Sequence, residues 1–266
     1  MDRRCGRWLL GRVIATGAWA EVRAGRPDAD HADADAEPVA IKRPHLHAAR
    51  DPAFAALFTA ERALTAALPT HPALIAAIDH GVEVDARTGD ERPYLVMPRV
   101  DGPDLRARLG QGAIARPVWL AVVAQVAGAL AHLHAHGWVH GDVNPANVLL
   151  GPAGAVLCDL GVARTALTAG PVRGTAAYMA PEQVKGEAWT AAVDVFALGV
   201  VVWELAAGAR LFARSAPYLA MAAVVESDAP RLADASLAGV VAGALARQPA
   251  DRPTAADVAA ALAALL

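Results

Sequence analysis

The chain has 266 residues, of which 55% are hydrophobic and 19% are charged, and its formal net charge at pH 7 is −3. This length and apolar content allow one large or two small domains with a sizeable core. The slight acidic excess argues against a nucleic-acid-binding protein. Two cysteines are too few for a disulfide framework, so we expect a reducing, cytoplasmic compartment.

The first hundred residues predict a small sheet and one helix. Strand patterns cover residues 9–22, 39–42, 75–84 and 93–97, and a helical pattern covers residues 54–68. Asp51 and Pro52, just before the helical pattern, are a typical cap and first-turn pair.

An acidic insert bounded by prolines lies between the first two strand regions, at residues 27–38. Its composition predicts a solvated hairpin loop. Its carboxylates and His31 could also bind a cation, but nothing in the pattern fixes their geometry.

The rest of the chain is predicted to be mostly helical, beginning with a long helix over residues 118–136. On that helix His132 and His136 share a face and His134 points away, which favours surface or structural histidines over a metal site. The most apolar stretch, 195–209, is shorter than the roughly 20 residues of a membrane-spanning helix. We therefore expect a core helix there and no membrane segment in this chain, as in a soluble domain or a fragment of a longer protein.

Two short loops carry the candidate chemistry. The string HGDVNPAN covers residues 140–147, and DLG follows at 159–161. Asp142, Asn147 and Asp159 are thus a carboxylate, an amide five positions later and a second carboxylate beyond a hairpin. Such a set can orient a hydroxyl group and hold Mg²⁺ on a nucleotide, as phosphoryl transfer requires. Taken singly, each of them could be an ordinary turn residue.

The order and spacing of these residues resemble the catalytic and metal-binding loops of eukaryotic-type (Hanks-type) bacterial serine/threonine protein kinases. From about Leu10 to the C-terminus, further motifs of that family follow in the right order: VAIK at 39–42, Glu61 in the predicted helix, YLVM at 94–97, GTAAYMAPE at 174–182, VDVFALG at 193–199 and DRPT at 251–254. Taken alone, Lys42 could be an edge-strand lysine and Glu61 a solvated helix charge. For all these motifs to occur in the family's order by chance would require several coincidences.

The resemblance implies an α+β, bilobal protein-kinase-like fold, with a small β-rich N-lobe that has one main helix and a larger, mostly helical C-lobe. The whole chain, 1–266, would be a single protein kinase domain. Its N-lobe would cover about 8–97, its hinge about 98–102 and its C-lobe about 103–266.

The resemblance also implies roles for individual residues. Lys42, paired with Glu61, would grip the α- and β-phosphates of ATP, Asp142 would orient the acceptor hydroxyl, and these three with Asn144 form the catalytic set. Asn147 and Asp159 would bind Mg²⁺, or Mn²⁺. The nucleotide itself would contact Ala15, Gly17, Ala20, Val22, Ala40, Lys42, Met97 (the gatekeeper), Arg99, Val100, Asp104 (near the ribose) and Leu149. A buried ion pair would join Glu182 and Arg252.

Two departures from the family pattern predict slow turnover. The glycine-rich loop keeps only Gly17 of its three glycines, and alanines at the outer positions disfavour positive φ, so we expect weaker nucleotide clamping. Asn144 replaces a lysine that helps neutralise the γ-phosphate, and losing such a donor costs about 2–4 kcal/mol. Trp19, at the tip of the loop, is expected to act as an aromatic lid.

A third departure concerns activation. Gly141 replaces the arginine that grips a phosphorylated activation loop in the family. A phosphate on Thr165 or Thr168 would therefore lack its main docking cation, although Arg164 and Arg173 lie nearby in sequence.

The intact charged set predicts a competent but slow kinase. The pattern GTxxY before Ala180 favours protein substrates bearing serine or threonine, with self-phosphorylation at Thr165, Thr168 or Thr175. One alternative is a nucleotide-binding pseudokinase scaffold. Another is a small-molecule (aminoglycoside/choline-like) phosphotransferase, although such enzymes lack the Ala-Pro-Glu segment, the Asp194 signature and the Arg-Pro-Thr string.

Overall fold

The computed structural model describes residues 4–28, 38–84, 88–165 and 174–266. His31 and most of the acidic insert lie outside the described residues, as do Thr168 and Arg173. The chain divides into two compact units, Met1–Thr70 with Ile75–Asp101 and His71–Leu74 with Gly102–Leu266. The predicted boundaries of the kinase domain, its lobes and its hinge stay predictions.

The first unit is built on an antiparallel sheet with the strand order β1-β2-β3-β4-β6-β5. Its strands are β1 (Arg4–Cys5), β2 (Trp8–Thr16), β3 (Ala20–Pro27), β4 (Val39–Pro44), β5 (Asp79–Val84) and β6 (Glu91–Pro98), and its helices are α1 (Leu46–Ala49) and α2 (Pro52–Ala67). The sheet buries an apolar cluster that comprises Cys5, Trp8, Leu10, Val39, Ile41, Tyr94 and Val96.

Two predicted strands of this unit differ from the observed ones. The apolar run 9–22 is two strands, because the amide of Gly17 donates to the carbonyl of Ala20 (2.8 Å) and closes a hairpin there. The strand predicted from residue 75 begins only at Asp79. Ile75 is buried but precedes the strand. Helix α2 begins as predicted: the carboxylate of Asp51 accepts from the amides of Ala53 and Phe54, with proline in the first turn.

The second unit is mostly helical. Its helices are α3 (Leu105–Gly110), α4 (Arg116–Ala135), α5 (Pro181–Val184), α6 (Ala192–Ala207), α7 (Pro217–Glu226), α8 (Ala235–Ala244) and α9 (Ala255–Ala263). Short strands pair as β7 (Trp138–Val139) with β10 (Arg164–Thr165) and as β8 (Val148–Gly151) with β9 (Gly154–Leu157). Together the two units confirm the predicted α+β class, with a β-rich part that has one main helix and a mostly helical part.

Among the described residues, one helix, α4, is long and apolar enough to cross a membrane by length and composition. Half of its apolar window is buried, and α4 packs against α9. Leu120, Leu130 and Leu133 of α4 are fully buried. The core of this unit therefore accounts for the apolar character of α4. The apolar run 195–209 falls largely in α6, which is buried as well.

Candidate active site

Lys42 and Glu61 form an ion pair within the first unit. Lys42 lies on β4 between Val22 of β3 and Leu95 of β6, and α2 carries Glu61. Lys42 Nζ lies 2.6 Å from Glu61 Oε1, and the two side chains are only 14% and 4% exposed. The predicted ion pair is confirmed, and its burial means that loss of either member leaves a poorly solvated charge.

The turn between β2 and β3 holds the glycine-rich-loop residues. Ala15 lies in β2 and pairs with Val22, Ala20 begins β3, and Gly17 lies between the two strands. Among the described non-glycine residues only Asp159 has a positive φ, +67°. Both alanines are therefore in extended strands, a conformation that any residue adopts, and the weaker nucleotide clamping expected from them stays a prediction.

Trp19 holds the tip of this turn to α2. Its ring stacks on Phe54 with the ring centres 5.7 Å apart, although the side chain is 53% exposed. His45 fixes the same turn, since its amide donates to the carbonyl of Trp19 (2.9 Å) and its Nε2 lies 2.9 Å from the carbonyl of Gly17. The turn is thus tied to the helix that carries Glu61.

The other predicted nucleotide contacts of the first unit lie on neighbouring strands. Ala40 pairs with Met97, which is buried at the end of β6. Beyond β6, Arg99 forms an ion pair of 2.6 Å with Asp101, and Val100 lies between them. Their role in binding ATP stays a prediction.

Asp142 lies at the centre of a hydrogen-bonded loop in the second unit. Its Oδ1 accepts from the amide of Thr175 (2.7 Å), and its Oδ2 accepts from Asn147 Nδ2 (3.2 Å). Burial raises the pKa of the Asp142 carboxyl, as does the charge of Asp159, and the bonds from Thr175 offset only part of that rise. A carboxylate with a raised pKa, fixed by two donors, is suited to accept a proton from a hydroxyl group.

The carboxylate of Asp194, on α6, holds the backbone at the start of this loop. It accepts from the amides of His140 and Gly141, both at 2.7 Å, and from His134 Nε2 at 2.8 Å. His134 is therefore structural, as predicted. Among the described residues no group of histidine, cysteine or acidic side chains has the arrangement of a metal site.

The ring of His140 is held on two sides. The amide of Asp142 donates to Nδ1 (3.2 Å), so Nε2 carries the proton and donates to the carbonyl of Cys158 (3.1 Å). The ring of His140 thus joins the Asp142 loop to the segment that leads to Asp159.

Asn144 bridges the Asp142 loop and Thr175. Its Nδ2 donates to the carbonyl of Asp142 (3.0 Å) and to Thr175 Oγ1 (3.1 Å), and its Oδ1 accepts from the amide of Ala146 (2.9 Å). The sequence indicated Thr175 only as a phosphorylation site. In the structure the hydroxyl oxygen of Thr175 accepts from Asn144 and so helps to hold the Asp142 loop, while its phosphorylation stays a prediction.

Asn147 directly precedes β8, and Asp159 follows two residues after its partner strand β9. The strands pair through Val148 and Leu157, and the amide of Cys158 donates to the carbonyl of Asn147 (2.9 Å). Asn147 uses its amide nitrogen for Asp142, which leaves its Oδ1 as the ligand atom that it offers. An amide oxygen and a carboxylate are ligands that Mg²⁺ accepts, so these residues fit the ion.

Asp104 marks the start of α3. Its carboxylate caps α3 by accepting from the amide of Ala107 (2.7 Å), and its backbone pairs with Leu149. One carboxylate oxygen is therefore already engaged inside the second unit, and a ribose contact stays a prediction.

Glu182 and Arg252 form the predicted buried ion pair. Arg252 Nη1 and Nη2 lie 2.6 and 2.9 Å from Glu182 Oε1 and Oε2, and the two side chains are 0% and 3% exposed. Neighbouring Gln183 donates from Nε2 to the carbonyl of Gly141 (3.0 Å) and accepts from the amide of Ala180. No local sequence pattern indicated this role of Gln183, because a glutamine after Ala-Pro-Glu reads as an ordinary helix residue.

The chain matches the model of the protein kinase domain over residues 10–261. It is 37% identical over 261 residues to the serine/threonine-protein kinase PknB of Mycolicibacterium smegmatis, an alignment that covers 92% of this chain and 40% of the relative. For PknB of Mycobacterium tuberculosis the identity is 36% with the same coverage. For the serine/threonine-protein kinase PkaA of Streptomyces coelicolor it is 36% over 264 residues, or 95% of this chain and 46% of the relative. The chain thus spans less than half the length of these curated relatives.

Proposed function

This chain belongs to the protein kinase domain family, and on that premise we propose that it transfers the γ-phosphoryl group of ATP to serine and threonine hydroxyls of proteins. Use of ATP and of protein substrates follows from the family. The choice of serine and threonine is supported by the PknB and PkaA relatives, which carry that specificity in their names.

The observation that carries the proposal is the setting of Asp142. A buried carboxylate with a raised pKa, held by Thr175 and Asn147, can orient an acceptor hydroxyl and take its proton as the oxygen–phosphorus bond forms. The Lys42–Glu61 pair would hold the α- and β-phosphates. Asn147 and Asp159 would hold Mg²⁺ or Mn²⁺, which neutralises charge on the phosphates when bound.

Slow turnover remains part of the proposal because Asn144 brings no positive charge to the loop. The intact ion pair and the anchored Asp142 loop favour a working kinase over a pseudokinase scaffold. The bidentate Glu182–Arg252 contact fixes the Ala-Pro-Glu segment within the second unit. Because small-molecule phosphotransferases lack this segment, the contact favours a protein kinase.

A transfer assay tests the function directly. The purified chain is incubated with labelled ATP and Mg²⁺ or Mn²⁺, with itself, a basic protein or an aminoglycoside as the acceptor, and Asp142→Asn is the matched control. We expect label on protein serine and threonine only, and none with the control. Label on the aminoglycoside, on tyrosine, or on nothing at all would contradict the proposal.

A further inference from the structure

A positive charge lies beside Asn144, the residue that stands where the family carries a lysine. Arg106 Nη2 is 3.5 Å from Asn144 Oδ1. Asn144 is buried, whereas Arg106 is exposed on the first turn of α3. The helix itself is fixed, because Leu105 is fully buried and Asp104 caps the helix at its start.

The amide of Asn144 links this guanidinium to the catalytic loop. Its oxygen faces Arg106, and its nitrogen donates to the carbonyl of Asp142 and to Thr175 Oγ1. Arg106 is therefore connected, through the single side chain of Asn144, to the backbone of Asp142 and to the hydroxyl of Thr175. At 3.5 Å the hydrogen bond itself is weak. The Coulomb effect of the charge does not depend on that bond, because it falls only as the inverse of distance.

The charge of Arg106 also reaches the segment that follows. Burial and the neighbouring Glu204 raise the pKa of the Tyr178 phenol, and Arg106 is among the cations that oppose this rise. Tyr178 lies three residues beyond Thr175. The charge of Arg106 therefore acts on Tyr178 as well as beside Asn144.

We propose that Arg106 supplies the positive charge that Asn144 lacks, and so stabilises the phosphoryl group during its transfer. The inference rests on the proposed kinase function. In the reaction the acceptor oxygen forms a bond to the γ-phosphorus, the bond from that phosphorus to the leaving oxygen of ADP breaks, and Asp142 takes the hydroxyl proton. The guanidinium on α3 stabilises the negative charge on the phosphoryl oxygens.

The experiment compares Arg106→Gln with Arg108→Gln. Glutamine keeps a polar side chain with an N–H donor and removes the charge, and the shortening of the side chain is common to both variants. Arg108 is the matched control, because it lies two positions further on α3 and donates instead to the carbonyl of Gly112 (3.2 Å). We expect Arg106→Gln to lower kcat about tenfold with the KM for ATP and for the protein substrate nearly unchanged. This loss is smaller than the roughly 10²–10³-fold of a buried, preorganised donor, because Arg106 is exposed.

Asn144→Lys provides the decisive rescue. In the Arg106→Gln background this change should raise kcat by a clearly larger factor than in the wild-type background, where Arg106 already supplies the charge. Arg106→Lys, which keeps a charge, should stay within a few-fold of wild type. An equal effect of Asn144→Lys in both backgrounds, or a change confined to the KM of the protein substrate, would overturn the inference. A wild-type chain without any transfer activity would instead overturn the proposed function.

Discussion

Trp189 closes the space beside the backbone of Gly141. A Cβ atom on Gly141 would lie 2.5 Å from Trp189 Cζ3, and Gly141 has a φ of +80°. Trp189 is fully buried, and the guanidinium carbon of Arg164 lies 3.4 Å from the centre of its ring. The position at which the family carries an arginine is therefore closed to any side chain here, and the tryptophan fills the site together with a stacked arginine.

The first prediction is that Gly141→Ala destabilises the protein more than Gly137→Ala does. Both glycines have nearly the same φ, +80° and +79°, but nothing lies within 4 Å of a Cβ atom on Gly137. Gly137→Ala should therefore lower the free energy of unfolding only by the conformational cost of alanine at this φ, about 1–2 kcal/mol. Gly141→Ala should add the clash with Trp189. Urea unfolding of the two variants measures the difference, and equal losses would show that Trp189 moves aside freely.

The second prediction is that activity does not depend on a phosphorylated activation loop. Loop phosphates order a segment by binding arginine, and Gly141 removes the family's arginine. Arg164 is already stacked on Trp189. Phosphatase treatment, or alanine at Thr165 and Thr168 together, should change kcat only modestly, with Asp142→Asn as the background control. A loss of two orders of magnitude would show that Arg164 or Arg173 binds the phosphate after all.

The third prediction concerns the coupling of Lys42 to Glu61. Each single alanine variant breaks the same buried pair, so both should lose most of the activity, and the double variant should lose little more than either. The exposed pair of Arg50 and Asp90 in the same unit is the control, and its alanine variants should leave activity unchanged. Losses that add in the Lys42–Glu61 double variant would mean that the two residues act independently.

Motif positions predicted the long-range pairs well. Lys42 with Glu61 and Glu182 with Arg252 are 19 and 70 residues apart, and both were indicated by their places in the ordered motifs. Helix α2 was found nearly to the residue because Asp51 and Pro52 mark its start in sequence.

What the sequence could not predict depends on tertiary packing. The strand pattern over 9–22 includes the glycine-rich loop, and the turn that Gly17 and Ala20 close lies inside that loop; the pattern did not give the points at which the two strands end and begin. The contacts of Trp189 with Gly141 and of Arg106 with Asn144 join residues that are 48 and 38 positions apart in sequence and follow no local pattern. The extended backbone of Ala15 and Ala20 also depends on pairing within the sheet, which the glycine-rich-loop pattern alone does not show.

The fourth prediction is that Asp142→Asn loses phosphotransfer but gains stability at neutral pH. Burial raises the pKa of this carboxyl above its usual 3.8, so the charged form is disfavoured in the folded state. The resulting destabilisation is absent below the usual pKa and grows as the pH rises through the raised one. The melting temperature of Asp142→Asn should therefore exceed that of wild type at pH 7, and the difference should shrink toward pH 4.

A measurement of nucleotide binding by the asparagine variants distinguishes the role of Asp142 from that of Asp159. Asp142→Asn should retain ATP binding, whereas Asp159→Asn should weaken the binding of Mg²⁺ with ATP, because only Asp159 is a proposed ligand of the ion. Wild-type turnover in both variants would contradict the assigned roles. A lower melting temperature of Asp142→Asn at pH 7 would show that the bonds from Thr175 and Asn147 outweigh the burial of the charge.

The last prediction is that Arg252→Ala strongly destabilises the protein, although Arg252 makes no predicted contact with ATP. Its guanidinium binds both carboxylate oxygens of Glu182 and also donates to the carbonyls of Ala192 and Ala246. Removing it leaves the Glu182 charge buried and unpaired, a loss of about 3–5 kcal/mol. Arg252→Lys should recover only part of this stability, since an ammonium group cannot bind both oxygens in a planar fork. The control is Arg247→Ala, which breaks an exposed pair with Asp228 and should shift the melting temperature little. Melting curves of the three variants decide the matter: an Arg252→Ala protein as stable as Arg247→Ala would mean that the buried pair contributes nothing to the fold.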